Sequence, residues 1–274
     1  MNINPFVKAF MASFTKMSVF AFLFLTPFFV DSAPPPAAIP EELHDAFTLN
    51  DTIPVINIYR DDSRSHALIY TNELIESFIE EAKANAMKYY GLTDLYLYEA
   101  LDKYLPHVVG RKVAVLGSEI PWYESILLAY GAHPTTIEYN KIECSYPGIE
   151  VLTVDEFDAN PRTFDAVLSI SSFEHDGLGR YGDPLNPIGD LQAMAKTKKM
   201  LSTDGLLFLA VPVGKDCLVW NLHRVYGNIR LKMLLQGWQV IDSFGFDPQD
   251  FEKEACEGYH QPVFVLKPNQ NAQD

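Results

Sequence analysis

Apolar residues along this chain keep two different rhythms. Over 71–90 and 93–104 they recur every three or four positions, with Leu74, Ile75, Phe78 and Ile79 on one face, which predicts two covering helices. From residue 112 onward, short runs of strand length take over. KVAVLG (112–117) predicts a first core strand, 135–138 a second ending in an acid, 149–152 a third, 164–170 a fourth and 206–211 a fifth. Pro121 suits the first position of a helix ending at Gly131, and a further helix is expected over 187–201. A helix near 229–236 and two closing strands, 238–244 and 262–266, complete the pattern. Nearly continuous apolar runs suit strands covered on both faces. Their alternation with helices predicts right-handed crossovers and an α/β fold, a doubly wound, mostly parallel seven-stranded sheet with an N-terminal helical extension.

The N-terminus follows neither rhythm. Lys8 and Lys16 precede an uncharged run, MSVFAFLFLTPFFV, over 17–30. This run is shorter than the roughly 20 residues a spanning helix needs, so a signal peptide ending near Val30-Asp31-Ser32 is expected. An uncleaved single-pass signal anchor stays open, because counting back to Phe10 and letting Lys16 snorkel lengthens the segment. The expected divisions are a signal peptide or anchor (1–32), a Pro-rich linker (33–50), a helical extension (51–108), the α/β domain (109–268) and a short tail (269–274). Asn50-Asp51-Thr52 is a glycosylation sequon consistent with a lumenal or secreted glycoprotein of the secretory pathway.

A formal net charge of −15 excludes the basic stripe that a nucleic-acid surface requires, so no nucleic-acid partner is expected, and a membrane partner only through an uncleaved anchor. Cys144, Cys217 and Cys256 are too few and too scattered for a disulfide framework or a metal cluster, leaving at most one bridge and no metal site.

Candidate chemistry concentrates in FDAVLSISSFEHDGLGRYGD (164–183), where a buried strand runs into a polar, glycine-rich loop. In an open parallel sheet the crevice beyond the strands' carboxyl ends holds the ligand, which singles out Glu174, His175 and Asp176. The loop over 177–186 offers Arg180, Tyr181 and Asp183 among its glycines as ligand contacts. Basic groups gather over 221–230, where His223, Arg224 and Arg230 suit a carboxylate, phosphate or acidic sugar. Beside each stands a plainer reading: Glu174-His175 as a pair packed under the loop, and the arginines as helix-surface charges.

KVAVLGSEIPWYES, with Glu138 some twenty residues beyond its glycine, FDAVLSISSFEH, DLQAMAKTKKMLSTDGLLFLAVP and RLKMLLQGWQVIDSFG together resemble the class I S-adenosylmethionine-dependent methyltransferases over about 111–267. The strings PWYE, SSFEHDGLGRYGDPLNP, VPVGKD and NLHRVYGNIR are similar to the group called domain of unknown function 268, which supplies no reaction. The resemblance implies a Rossmann-like, methyltransferase-like sheet. It implies S-adenosylmethionine as cofactor, contacted by Gly117, Ser118, Glu119, Glu138, Asp155 and Ser171, with the two oxygens of Glu138 suited to a ribose diol. It makes His175 the expected base, oriented by Glu174 or Asp176. The sequence departs from the pattern after the first strand, where Val115 stands in place of an acid and Glu119 and Pro121 in place of glycines. Glu119 is then the expected partner of the cofactor's ammonium. Asp155 has a second reading as part of a helix cap. The expected function is methyl transfer to a small polar or glycan-like acceptor. The alternatives are a non-catalytic binding protein on the same sheet, and a nicotinamide-dependent oxidoreductase, for which Glu138 alone speaks.

Overall fold

The computed structural model describes residues 34–63, 67–254 and 260–269. The expected targeting segment and Cys256 lie outside the described residues, and among the described residues no helix is long and apolar enough to cross a membrane.

Helix α1 (Glu41–Thr48) and strands β1 (Val55–Asn57) and β2 (Leu68–Tyr70) precede helices α2 (Asn72–Lys83) and α3 (Leu92–Lys103). The central run is β3 (Lys112–Leu116), α4 (Trp122–Ala129), β4 (His133–Glu138), β5 (Ile142–Cys144), β6 (Glu150–Thr153), α5 (Val154–Ala159), β7 (Phe164–Ile170), α6 (Gly189–Met200) and β8 (Leu201–Ala210). The chain closes with β9 (Cys217–Trp220), β10 (His223–Val225), α7 (Arg230–Leu234), β11 (Trp238–Phe244) and β12 (Val263–Pro268).

Seven strands form one sheet in the order β11-β12-β8-β7-β3-β4-β6. Pairings from β8 through β7, β3 and β4 to β6 are parallel, and β12 runs antiparallel to both its neighbours. This is a doubly wound, mostly parallel sheet. Alternation along single strands shows why both faces are covered. On β8, Leu206, Phe208 and Ala210 join one apolar cluster with Phe78, Leu97, Trp122 and Ile126 from α2, α3 and α4. Leu207 and Leu209 join the opposite cluster with Phe157, Met194, Met200 and Leu231 from α5, α6 and α7. A period of two places successive side chains on opposite faces, and burying each large aliphatic contributes roughly 1.5–3 kcal/mol.

Four expectations give way to longer-range structure. The helix expected over 71–90 ends at Lys83, because the buried Asp94 carboxylate accepts the Lys88 and Tyr89 amides and folds 85–91 into a turn. The segment expected as a Pro-rich linker contains α1, whose Phe47 packs edge-on against Trp220 at 5.1 Å. The helical extension also contributes strands. Val55 pairs with Leu218 in a three-stranded sheet ordered β1-β9-β10, and Leu68 pairs with Ile142. The fifth strand starts at Leu201, directly after α6, instead of at 206.

Candidate functional site

A cavity of about 450 Å³ lies at the carboxyl ends of β3, β4 and β7, where the sheet's crossovers diverge. Gly117 leaves β3 with φ +72°, and a Cβ built there would stand 2.1 Å from Ser172 Oγ. Only glycine lets the loops after β3 and β7 approach so closely. Ser118 then ties several elements together. Its N–H donates to Glu138 Oε2 at 3.0 Å, its carbonyl accepts from Tyr70 Oη at 2.8 Å, and its hydroxyl lies 3.1 Å from Glu124 Oε2. Glu124 is fully buried in the first turn of α4 and accepts from Thr136 Oγ1 at 2.7 Å. Burial pushes its carboxyl up to about 7, against the pull of these hydrogen bonds.

Glu138 ends β4 with its carboxylate at the cavity wall. It accepts from the Ser118 and Asn140 amides at 3.0 and 3.1 Å, and the Tyr139 amide adds to their pull. Burial raises its pKa while the amides hold it down. Beside it, Ile137, Val154, Phe157 and Met200 form an apolar wall. Asp155 is exposed and off this wall, following Thr153, which forms a capping box with Glu156. Gly117, Ser118, Glu119, Glu138 and Ser171 are brought together on the cavity; Asp155 is not.

At the end of β7, Ser171 holds a left-handed φ of 54°, a conformation that stores backbone strain in a residue with a side chain. Its hydroxyl donates to Glu174 Oε1 at 2.6 Å and accepts from Gln261 Nε2 at 3.1 Å. Glu174 is 1% exposed, and burial pushes its carboxyl up to about 7. His175 Nδ1 lies 2.7 Å from the Leu222 carbonyl, so Nδ1 carries the proton and Nε2 is the acceptor. Burial, then the nearby Arg180 charge, lowers His175 to about 3. The expectation of an imidazole poised near neutrality is corrected accordingly: the ring is neutral and weakly basic, suited to orienting a donor. Asp176 lines the cavity, its carboxyl raised well above the usual range by burial.

The loop over 177–186 is folded around Asp183, whose carboxylate accepts from the Gly177, Gly179 and Tyr181 amides. Tyr181 and Asp183 reach the cavity. Arg180 turns away to Asp62, at 2.6 Å, with its guanidinium over the Tyr181 ring. His223 is buried with its ring 6.3 Å from His175 and does not line the cavity. The two arginines expected to hold an anionic substrate are used internally. Arg224 donates to the carbonyls of Glu174, Asp176 and Asn186, bracing that loop from beneath. Arg230 pairs with the buried Asp190, which also accepts from Tyr226. Neither lines the cavity.

Tyr89, Tyr90, Glu124, Tyr139 and Gln261 escaped the sequence reading. Tyr89, Tyr90 and Tyr139 line the cavity, and Tyr139 donates to the Gly182 carbonyl, linking β4 to the loop. Only Glu124 had a signal, as the acid of the PWYE string. Among the described residues no cluster of three or more His, Cys, Asp or Glu is arranged to hold a metal ion.

The family model described as Caenorhabditis protein of unknown function, DUF268, matches residues 110–261, more than half of the chain. No curated protein matches. Among solved structures, the chain is similar to the Burkholderia thailandensis 1,6-didemethyltoxoflavin-N1-methyltransferase, at 15% identity and a TM-score of 0.48, over 90% of this chain and 100% of that one. It is similar to the PH0226 protein of Pyrococcus horikoshii at 14% identity and a TM-score of 0.44, over 69% and 95% of the two chains. It is also similar to an S-adenosylmethionine-dependent methyltransferase of Mesorhizobium loti at 13% and 0.41, over 62% and 97%. The chain belongs to the DUF268 family.

Proposed function

We propose, from the premise of this DUF268 membership and a methyltransferase-like sheet, that the protein is an S-adenosylmethionine-dependent methyltransferase whose acceptor is a small polar molecule, glycan-like hydroxyls included. The observation that carries this reading is Glu138. A carboxylate at the end of β4, fixed by backbone amides at the cavity wall, suits a vicinal diol, and the adjoining Val154, Phe157 and Met200 suit a flat aromatic base. Gly117 permits the close loop approach that shapes the floor, and Glu119 is the cavity acid that would face an ammonium group. The cofactor, when bound, supplies an electrophilic methyl group. The chain's own part is to orient the acceptor and remove its proton.

Charge narrows the acceptor. The wall carries the acids Glu119, Glu138 and Asp183, and its lysine, Lys196, pairs with Asp158 at 2.6 Å. With Arg224 and Arg230 committed inside the fold, this setting favours a neutral or cationic acceptor over a carboxylate or phosphate. Placement in the secretory pathway is supported by the charge-flanked apolar run of 17–30 and by the exposed Asn50 of the sequon.

A non-catalytic binding role is the second reading, favoured by the sparse glycines of the β3 loop. Calorimetry on the full chain separates the two. S-adenosylhomocysteine binds the wild type, and Glu138→Gln weakens it about 10–100-fold, the loss of charge-assisted hydrogen bonds worth roughly 1.5–3 kcal/mol. Absence of binding, or binding indifferent to Glu138→Gln, refutes the cofactor assignment. Binding of NAD alone selects the oxidoreductase.

A further inference from the structure

Glu174 and Ser171 together make an arrangement that the sequence roles do not use. Glu174 is 1% exposed, and one carboxyl oxygen, Oε2, is buried without any hydrogen-bond partner. The other, Oε1, takes the Ser171 proton at 2.6 Å. Ser171 lines the cavity, and its strained backbone directs the hydroxyl inward to Glu174. Of the two lone pairs on that hydroxyl, the Gln261 amide takes one at 3.1 Å, and Tyr90 on the cavity wall neighbours the oxygen. Gln261 is itself anchored, its backbone carbonyl accepting from Thr93 Oγ1 at 2.8 Å. His175, by contrast, spends its one ring proton on the Leu222 carbonyl and offers Nε2 only as an acceptor.

Resting on the methyltransferase reading, we infer that Glu174 is the site's proton acceptor, reached through Ser171 Oγ, and that the substrate is therefore an alcohol, phenol or amine with a proton to lose. The acceptor's X–H bond breaks as its proton moves to Ser171 Oγ, while the Ser171 proton moves to Glu174 Oε1. Serine ends unchanged and the carboxylate becomes a carboxylic acid. His175 Nε2 orients the X–H donor.

The charges facing Glu174 bear on its role. Arg180 from the loop and Arg224 from β10 favour the carboxylate, while Asp176, Tyr90 and Tyr226 face it with proton-bearing or acidic groups, and His175 stays neutral at 3.7 Å. Burial outweighs the two arginines and places the carboxyl at about 7, where a base is most effective near neutral pH.

The test is carbon-13 NMR of the full chain with labelled glutamate side chains, titrated from acid to alkaline pH. One carboxyl midpoint near pH 7 is expected to vanish in Glu174→Gln. In Ser171→Gly, which suits the left-handed backbone and removes the hydroxyl with its Cβ, the midpoint rises. Should Glu174→Gln fail to fold, the signal displaced by Ser171→Gly still identifies Glu174. Sinefungin carries an ammonium where the cofactor carries its methyl, so it lowers the midpoint relative to S-adenosylhomocysteine. A Glu174 midpoint in the ordinary carboxylate range, or one indifferent to Ser171→Gly, overturns the inference. If calorimetry shows both nucleosides bound yet the midpoint is the same with each, this inference alone fails. If neither nucleoside binds, the cofactor reading falls and takes this role with it.

Discussion

Glu124→Gln isolates a buried charge beneath the cavity. The carboxyl is fully buried and raised from 4.5 to about 7 by desolvation. Between these values the folded chain holds a proton that the unfolded chain has released. Its stabilising contribution is therefore complete below the unfolded value and is lost as pH rises through the folded one. At about 1.4 kcal/mol per pH unit the full contribution is about 3 kcal/mol. Glutamine keeps the shape and the contacts. Its Oε1 accepts from Thr136 in place of the carboxylate, and its amide donates to the Ser118 hydroxyl, which remains bonded to the Ile120 carbonyl. At pH 4.5 the variant and wild type should match within about 1 kcal/mol, as both side chains are neutral. At pH 8.5 the variant should be the more stable by about 3 kcal/mol, since only the wild type then buries an ionised carboxylate. Urea unfolding of both proteins at the two pH values measures this swing, and His175 and His223 cancel in the difference. A stability difference that stays the same at both pH values refutes the reasoning.

The close loop approach and the internal arginine give two further expectations. Gly117→Ala puts a Cβ against Ser172 Oγ at a φ of +72°, so urea unfolding should show a loss of about 2–4 kcal/mol and calorimetry a loss of S-adenosylhomocysteine binding. An unchanged unfolding midpoint counts against the packing described. Arg230→Met leaves Asp190 buried with Arg224 at 3.9 Å as its remaining cation, so it should cost about 3–5 kcal/mol and lower Tm by about 10 °C. A thermal scan that moves by less than about 2 °C would instead assign Arg230 to the surface.

Much of the sheet was legible because its signals are local. The apolar run of 164–170 coincides with β7. A strand buried on both faces must be apolar at nearly every position, whatever lies beside it. The smaller sheets carried no such mark. β9 and β10 span four and three residues, and β9 acquires its partner β1 from more than 150 positions earlier in the chain. The basic stretch of 221–230 was misleading for a related reason. Arg224 and Arg230 carry the residue types of an anion site, but distant carbonyls and Asp190 consume their donors.

The cavity divides in the same way. Gly117, Glu138 and the junction after β7 followed from sequence, because the end of a parallel strand determines which residues reach the crevice. Their protonation did not. His175 and Glu174 are adjacent in sequence, and their intrinsic values would make the imidazole the stronger base. Burial inverts that order, holding the imidazole neutral and pushing the carboxyl to about 7. Sequence alone determined the α/β sheet and the place of its crevice, since both follow from local periodicity and strand ends. Tertiary structure alone decided which groups face the crevice, which are spent on partners and which hold a proton, because desolvation and hydrogen bonding belong to the assembled chain.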